Sequence, residues 1–172
     1  MPELNLIQIQ FEESNLLNPL TSGISSIINL PIKLTSSDYT LESFYNVERD
    51  QFDAGQIIGH FDKIYANFKT VIHTSVDLYL PIFTFVFGLA QMGGRIAIIS
   101  THRLKNQYYG LPADDDLLKK RLLKETVHEI GHLFNLRHCP NYRCVMTSST
   151  TIDDLDVKSE QYCFNCASKF SG

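Results

Sequence analysis

The chain carries the run His128-Glu129-Ile130-Gly131-His132, two histidines four residues apart with a glutamate beside the first. At roughly 100° per helical residue, side chains four apart differ by only about 40°, so one helix face can turn both imidazoles toward a single ion. Leu122, Leu123, Val127, Ile130, Leu133 and Phe134 fall on the other side, within an arc of about 140°. One face therefore packs on a core while the other binds, and the acidic run Asp114-Asp115-Asp116 after Pro112 marks where such a helix begins. The helix is predicted from about Asp115 to Asn135.

Six residues after His132 comes a third histidine, His138, within reach of a chain that turns back toward the ion. Three neutral imidazoles with one open position make a catalytic zinc site, whereas a structural site is closed by a fourth protein ligand. Glu129 lies next to the histidine pair but points away from the ligand set, which suits a base acting on metal-activated water. Zinc lowers the pKa of such water toward about 7, and Glu129 can take the proton and pass it to a leaving amine.

Four cysteines follow: Cys139, Cys144, and the pair Cys163 and Cys166. Two short-spaced pairs separated by a longer stretch are the usual spelling of a four-thiolate zinc site. Two disulfides or four free buried thiols are the alternatives. The start Met1-Pro2-Glu3-Leu4 lacks a basic region followed by an apolar stretch, so the chain is expected to be cytoplasmic and its thiols reduced. No run approaches the roughly 20 apolar residues of a membrane helix, and the net charge of -4 speaks against a nucleic-acid partner.

The full run from His128 to His138 resembles the metzincin signature H-E-x-x-H-x-x-G-x-x-H, departing from it at Asn135, where the family has glycine. Asn is the next residue to tolerate a left-handed helix end, so the turn remains feasible. With four cysteines after the third histidine and Met146 two residues after Cys144, the array resembles the archaemetzincins. Asp77-Leu78-Tyr79, Phe85-Val86-Phe87-Gly88 and Gly94-Arg95 extend the resemblance, which covers roughly Tyr45 to Cys166. It implies a zinc metalloprotease with a zincin-like α/β (α+β) fold: a single domain over residues 1–172, with a twisted mixed sheet, helices and an active-site helix. Residues 1–135 would form the upper part and 136–172 a zinc-stapled lower lobe. Two zinc ions are implied, one on His128, His132 and His138 with Glu129 catalytic, the other on Cys139, Cys144, Cys163 and Cys166. Met146 would be the methionine of the turn beneath the catalytic metal. The implied substrate is a peptide or protein lying extended along a strand edge, for which Phe83 to Gly94 is the candidate, and the enzyme is expected to be a monomer with no membrane partner.

Upstream, the pattern predicts strands at Asn5–Phe11, Ile28–Leu34, Val71–Leu80 and Arg95–Ser100. Helices are predicted from Ser14 or Asn15 to Ile28 and over Asp50–Tyr65, and this βαβαβ order favours a mostly parallel sheet. His60, His73 and His102 are read as hydrogen-bonded histidines rather than ligands, and Asp153 to Asp156 as a solvated turn. Two competing functions stand beside the hydrolase. One is a two-zinc scaffold with a vestigial histidine site, against which the presence of Glu129 speaks. The other is a thiol redox protein using Cys163 and Cys166, against which the second cysteine pair speaks.

Overall fold

The computed structural model describes residues 3–170, so Met1 and Pro2, the first residues of the N-terminal stretch read above, and the last two residues of the span 136–172 lie outside the description. β1 (Leu4–Ile9) is covered on both faces, as a central parallel strand must be. α1 (Leu17–Ile27) follows, but neither Ser14 nor Asn15 caps it: both lie in a 3-10 turn, closed by Leu16 N donating to the Glu13 carbonyl at 2.8 Å. β2 (Ile32–Ser37) starts after Pro31 rather than at Ile28, because Pro31 has no N–H to contribute and only its carbonyl joins the ladder, accepting from Leu4 N at 2.9 Å.

After β3 (Tyr45–Asn46) and β4 (Gln51–Asp53), α2 (Ala54–Ile64) begins later than the apolar spacing predicts, because Asp53 caps it by accepting from Gln56 N at 3.0 Å. The single strand expected over Val71–Leu80 is two, β5 (Lys69–Thr74) and β6 (Leu78–Tyr79). Ser75 ends the first: its N–H goes to the Gln10 carbonyl at 2.9 Å and its hydroxyl to Glu13 at 2.7 Å, so the chain leaves the ladder there. β7 (Gly88–Ala90) and β8 (Ile96–Ser100) form a hairpin, and α3 (Asp115–Leu133) is the long helix. α4 (Ile152–Val157) replaces the solvated turn read at Asp153 to Asp156, and α5 (Phe164–Phe170) ends the described chain.

The main sheet runs β2-β1-β5-β8-β7, parallel except for β7, which pairs antiparallel with β8 and carries no strand on its other edge among the described residues. Strand alternation divides two cores. Leu4, Leu6, Val71, Ala97 and Ile99 meet Leu20 and Ile24 of α1 and Leu122, Val127 and Ile130 of α3, while Ile7, Ile9, Ile72, Ile96 and Ile98 meet Ile57, Ile58 and Phe61 of α2. The result is an α/β domain in which α3 lies on the sheet beside its open edge. The segment bearing all four cysteines hangs from the end of α3, and α4 is held to that helix by Arg121, whose guanidinium pairs with Asp156 at 2.7 and 2.6 Å. Among the described residues no helix is long and apolar enough to cross a membrane.

His73 of β5 is fully buried beneath α3, with Nε2 3.0 Å from the Thr126 hydroxyl and Nδ1 unpartnered, and burial pushes its pKa down to about 3. An unfolded histidine titrates near 6.5, so folding favours the neutral ring: stability is fully present above about pH 6.5 and falls as pH drops toward 3. By pH 5 this one group is expected to cost about 2 kcal/mol. Urea unfolding at pH 7.5 and pH 5 should show the acid-linked loss shrinking by about that amount in His73→Gln relative to wild type; an equal loss in both proteins would remove His73 as its source.

Candidate metal centre

α3 is started by Asp114, whose carboxylate accepts from Leu117 N at 2.9 Å, with Asp115 and Asp116 in the first turn against the positive end of the dipole. One turn before its end the helix presents His128 and His132 side by side, their Nε2 atoms 3.1 Å apart. Each ring is locked from behind. Nδ1–H of His128 donates to the Val145 carbonyl and Nδ1–H of His132 to the Leu136 carbonyl, both at 2.8 Å, which leaves the two Nε2 lone pairs facing each other.

The helix then stops abruptly. Leu136 N donates back to the Gly131 carbonyl and Asn135 N to that of His132, both at 2.9 Å, and Asn135 itself takes φ 65°. This is the left-handed helix end that a glycine would supply, made here by asparagine. It carries the chain round so that the ligand atom of His138 lies within 4.8 Å of those of His128 and His132. Asn135→Ala is expected to cost about 1–2 kcal/mol, since alanine lacks the local hydrogen bonding that lets asparagine occupy this region. Asn135→Gly should be at least as stable as wild type in urea unfolding, and an alanine variant as stable as either would rule out strain at this turn.

Among the described residues the imidazole cluster holds three donors and no fourth. Burial pushes the pKa of all three histidines down, His128 furthest, and so favours the neutral form a metal needs. Tetrahedral zinc with Zn–N of about 2.0 Å sets its nitrogens roughly 3.3 Å apart, close to the His128–His132 separation, so the donor set fits the ion. Glu129 is buried, with Oε2 unpartnered, and both burial and the repulsion of Glu125 raise its pKa. The free-edge strand makes room for it: a Cβ on Gly88 would stand 3.0 Å from Glu129 Cγ and 3.1 Å from its Oε1.

The Sγ atoms of Cys139, Cys144, Cys163 and Cys166 also lie within 4.8 Å of one another, all four as free thiols, with Cys139 and Cys163 at 3.8 Å. That separation is the edge of a tetrahedron with Zn–S of about 2.3 Å, so a four-thiolate zinc fits here as well. Cys163 N–H points at the Cys144 sulfur at 3.3 Å, a donor that favours the thiolate. The two clusters are joined through the backbone, Cys139 N donating to the Met146 carbonyl at 3.0 Å, and Met146 lies buried under the active helix. Its sulfur would stand 2.4 Å from a Cβ at position 131, which is why that turn of the helix is glycine.

A cleft of about 660 Å³ opens over the imidazoles, walled by Phe83 to Ala90 on one side and by His138 and Ser148 to Thr150 on the other. Two of its buried side chains, Glu125 and Lys158, were not singled out from the sequence. Glu125 stands four residues before Glu129 on the same helix, and that spacing is visible in the sequence; Lys158 is brought there only by the packing of the chain after α3. His60 hydrogen-bonds the Tyr39 hydroxyl at 2.7 Å and His102 meets Tyr108 edge to face, both away from the centre.

Comparison with known proteins places this arrangement. The family described as Peptidase family M54 matches residues 14–171, reaching further upstream than Tyr45. Archaemetzincin of Pyrococcus furiosus is 43% identical over 150 residues, covering 86% of this chain and 75% of that protein. Archaemetzincin of Saccharolobus solfataricus is 34% identical over 167 residues, covering 95% and 90%. Among solved structures, a zinc-dependent peptidase from Methanocorpusculum labreanum superposes with TM-score 0.88 at 31% identity, covering 97% of this chain and 99% of that one. Archaemetzincin from Archaeoglobus fulgidus, complexed with malonate, superposes with TM-score 0.83 at 33% identity over the same shares.

Proposed function

Because this chain belongs to peptidase family M54, the archaemetzincins, and is a zinc metallopeptidase, we propose that it hydrolyses peptide bonds with Glu129 as general base beside a zinc held by His128, His132 and His138. The observation that carries the reading is the buried, unpartnered Oε2 of Glu129 next to three converging imidazoles. Zinc, when bound there, supplies a Lewis acid that makes water more acidic and polarises a carbonyl. The chain's own residues do the rest. The Val145 and Leu136 carbonyls keep the two helix imidazoles aimed, and Glu129, its pKa raised by burial, takes a proton from water and delivers it to the leaving amine.

An extended peptide or protein substrate pairs with the free edge of β7, its side chains against the apolar wall of Phe83 to Leu89. A second zinc, held by Cys139, Cys144, Cys163 and Cys166, staples residues 136–172 as a lower lobe beneath an upper part of residues 1–135. We read the enzyme as a metzincin-type, cytoplasmic monomer without nucleic-acid or membrane partners. The free thiols suit a reducing compartment and the net charge of -4 does not suit phosphate.

The test is a peptide-library digest by wild type and Glu129→Gln, with metal analysis of both. Cleavage by wild type alone, with two zinc ions in each, is the expected result. If wild type holds two zinc ions and cleaves nothing, the hydrolase reading gives way to the two-zinc scaffold.

A further inference from the structure

The cleft wall just before β7 is held from outside the cleft. Among the described residues that stretch makes one isolated bridge to a strand, Val86 to Leu78, with Val86 N donating to the Leu78 carbonyl at 3.0 Å. The carbonyls of Phe83 and Thr84 find their donors on side chains of the small sheet β3-β4-β6 instead. In the turn between β3 and β4, Arg49 donates through Nη2 to the Phe83 carbonyl at 2.6 Å and to that of Thr84 at 3.3 Å. Its guanidinium lies over the Tyr79 ring, 4.2 Å from the centroid. Gln51 of β4 accepts from Arg49 Nε at 3.2 Å and donates to the same Thr84 carbonyl at 3.0 Å and to Asp77 at 3.1 Å. Asp77 also holds Arg103 through two bonds of 2.7 Å, both side chains largely buried. The Arg103 guanidinium covers the Phe85 ring at 4.4 Å, and Phe87 meets that ring edge to face at 5.1 Å.

Phe83, Thr84 and Phe85 line the cleft, whereas Arg49, Gln51, Asp77 and Arg103 stand behind it. We infer that Arg49 and Arg103 are positioning residues for substrate binding: joined through Gln51 and Asp77, they hold residues 83–85 in one shape before a peptide arrives, with Phe85 as the ring against which an apolar side chain of the substrate rests. The inference rests on the reading that the substrate lies along this wall. A preformed wall spares the complex the ordering of a loop on binding, so loosening it weakens binding. Arginine suits both ends, because its planar fork serves two carbonyls at once and its flat face stacks on a ring. The hydrogen bonds of the relay end at the wall and at Asp77 and do not reach the imidazoles, so turnover of bound peptide is left as it was.

The test uses the full zinc-loaded chain and one peptide, rich in apolar residues, that wild type cleaves. Arg49→Met keeps an unbranched stem over Tyr79 and removes the donors. It is expected to raise KM about 5- to 20-fold, the usual worth of one or two lost hydrogen bonds, with kcat and zinc content as in wild type. Arg103→Lys keeps a charge beside Asp77 but loses the flat face, and should raise KM about 3- to 10-fold. In the Phe85→Ala background that second effect should vanish, because the ring that Arg103 holds is gone. Wild-type KM in Arg49→Met, a kcat that falls along with binding, or an Arg103→Lys effect repeated in full without Phe85 would each overturn the proposal. If Arg49→Met does not fold, Arg103→Lys with and without Phe85 decides alone. Phe85→Ala by itself separates the inference from the reading beneath it. Should it keep wild-type KM, the substrate does not lie on this wall and that reading fails; should it raise KM while both arginine variants match wild type, only the inference about the arginines fails.

Discussion

Glu129→Gln is expected to abolish peptide hydrolysis while both zinc ions stay bound. The substitution keeps the shape of the side chain beside Gly88, where Cγ and Oε1 occupy space that a Cβ at position 88 would otherwise fill, so the helix and its three imidazoles have no reason to move. What disappears is proton acceptance, since an amide oxygen is too weakly basic to take a proton from water. Loss of a positioned general base costs about 10²- to 10⁴-fold in rate, and the fall should appear in kcat rather than KM, because the binding proposed along β7 does not involve this residue. Steady-state kinetics on one cleaved peptide, with zinc measured on the same samples, reads the result. A variant that keeps more than a tenth of wild-type kcat would mean that another group accepts the proton, and Glu125, one turn earlier on the same helix, would be the first to examine.

Replacing Cys166 by serine should release the zinc proposed for the four thiols and with it the order of residues 136–172. Cys166 is buried, and its N–H is tied to the Cys163 carbonyl at 3.0 Å, so the thiol is delivered to the cluster by the first turn of α5. Apart from Leu155, Cys144 to Met146 and Cys166 itself, the residues after Leu136 add only partly buried apolar side chains to the core, such as Ile152, Tyr162 and Phe170. A structural zinc contributes about 10–16 kcal/mol of apparent binding energy in small metal-folded peptides, comparable with the whole stability of a typical domain. The hydrolytic site should suffer as well. His138 directly precedes Cys139, and Val145, whose carbonyl orients His128, sits between Cys144 and Met146. One zinc per chain, protease-sensitive cleavage after Leu136 and at least a tenfold loss of activity are the expected results. A serine variant that keeps two zinc ions and full activity would show that the four thiols are not a metal site. Thiol titration of chelated, denatured wild type provides a second check, four reactive thiols for the metal reading against none for two disulfides.

The sequence by itself determined whatever one rigid element can settle. Within α3 the angle between His128 and His132 follows from helical periodicity, as does the separation of the apolar face from the binding face, and the capping carboxylate of Asp114 is local as well. The short spacings of the cysteines and the helix end at Asn135 likewise depend on neighbours a few residues away. Tertiary structure decided the rest, through partners far apart in the chain. The strand expected from Val71 to Leu80 breaks at Ser75 because Gln10 and Glu13 claim its hydrogen bonds, and the acidic stretch at Asp153, although started as a helix by the local capping box of Thr151 and Asp154, has its far end held by Arg121 and Lys124. Lys158 reaches the cleft only because α4 and the loop carrying Thr147 pack beside α3. The physical reason is the same in each case: a hydrogen bond or a buried charge is satisfied by whichever group packing brings to it, and no local periodicity records which group that will be.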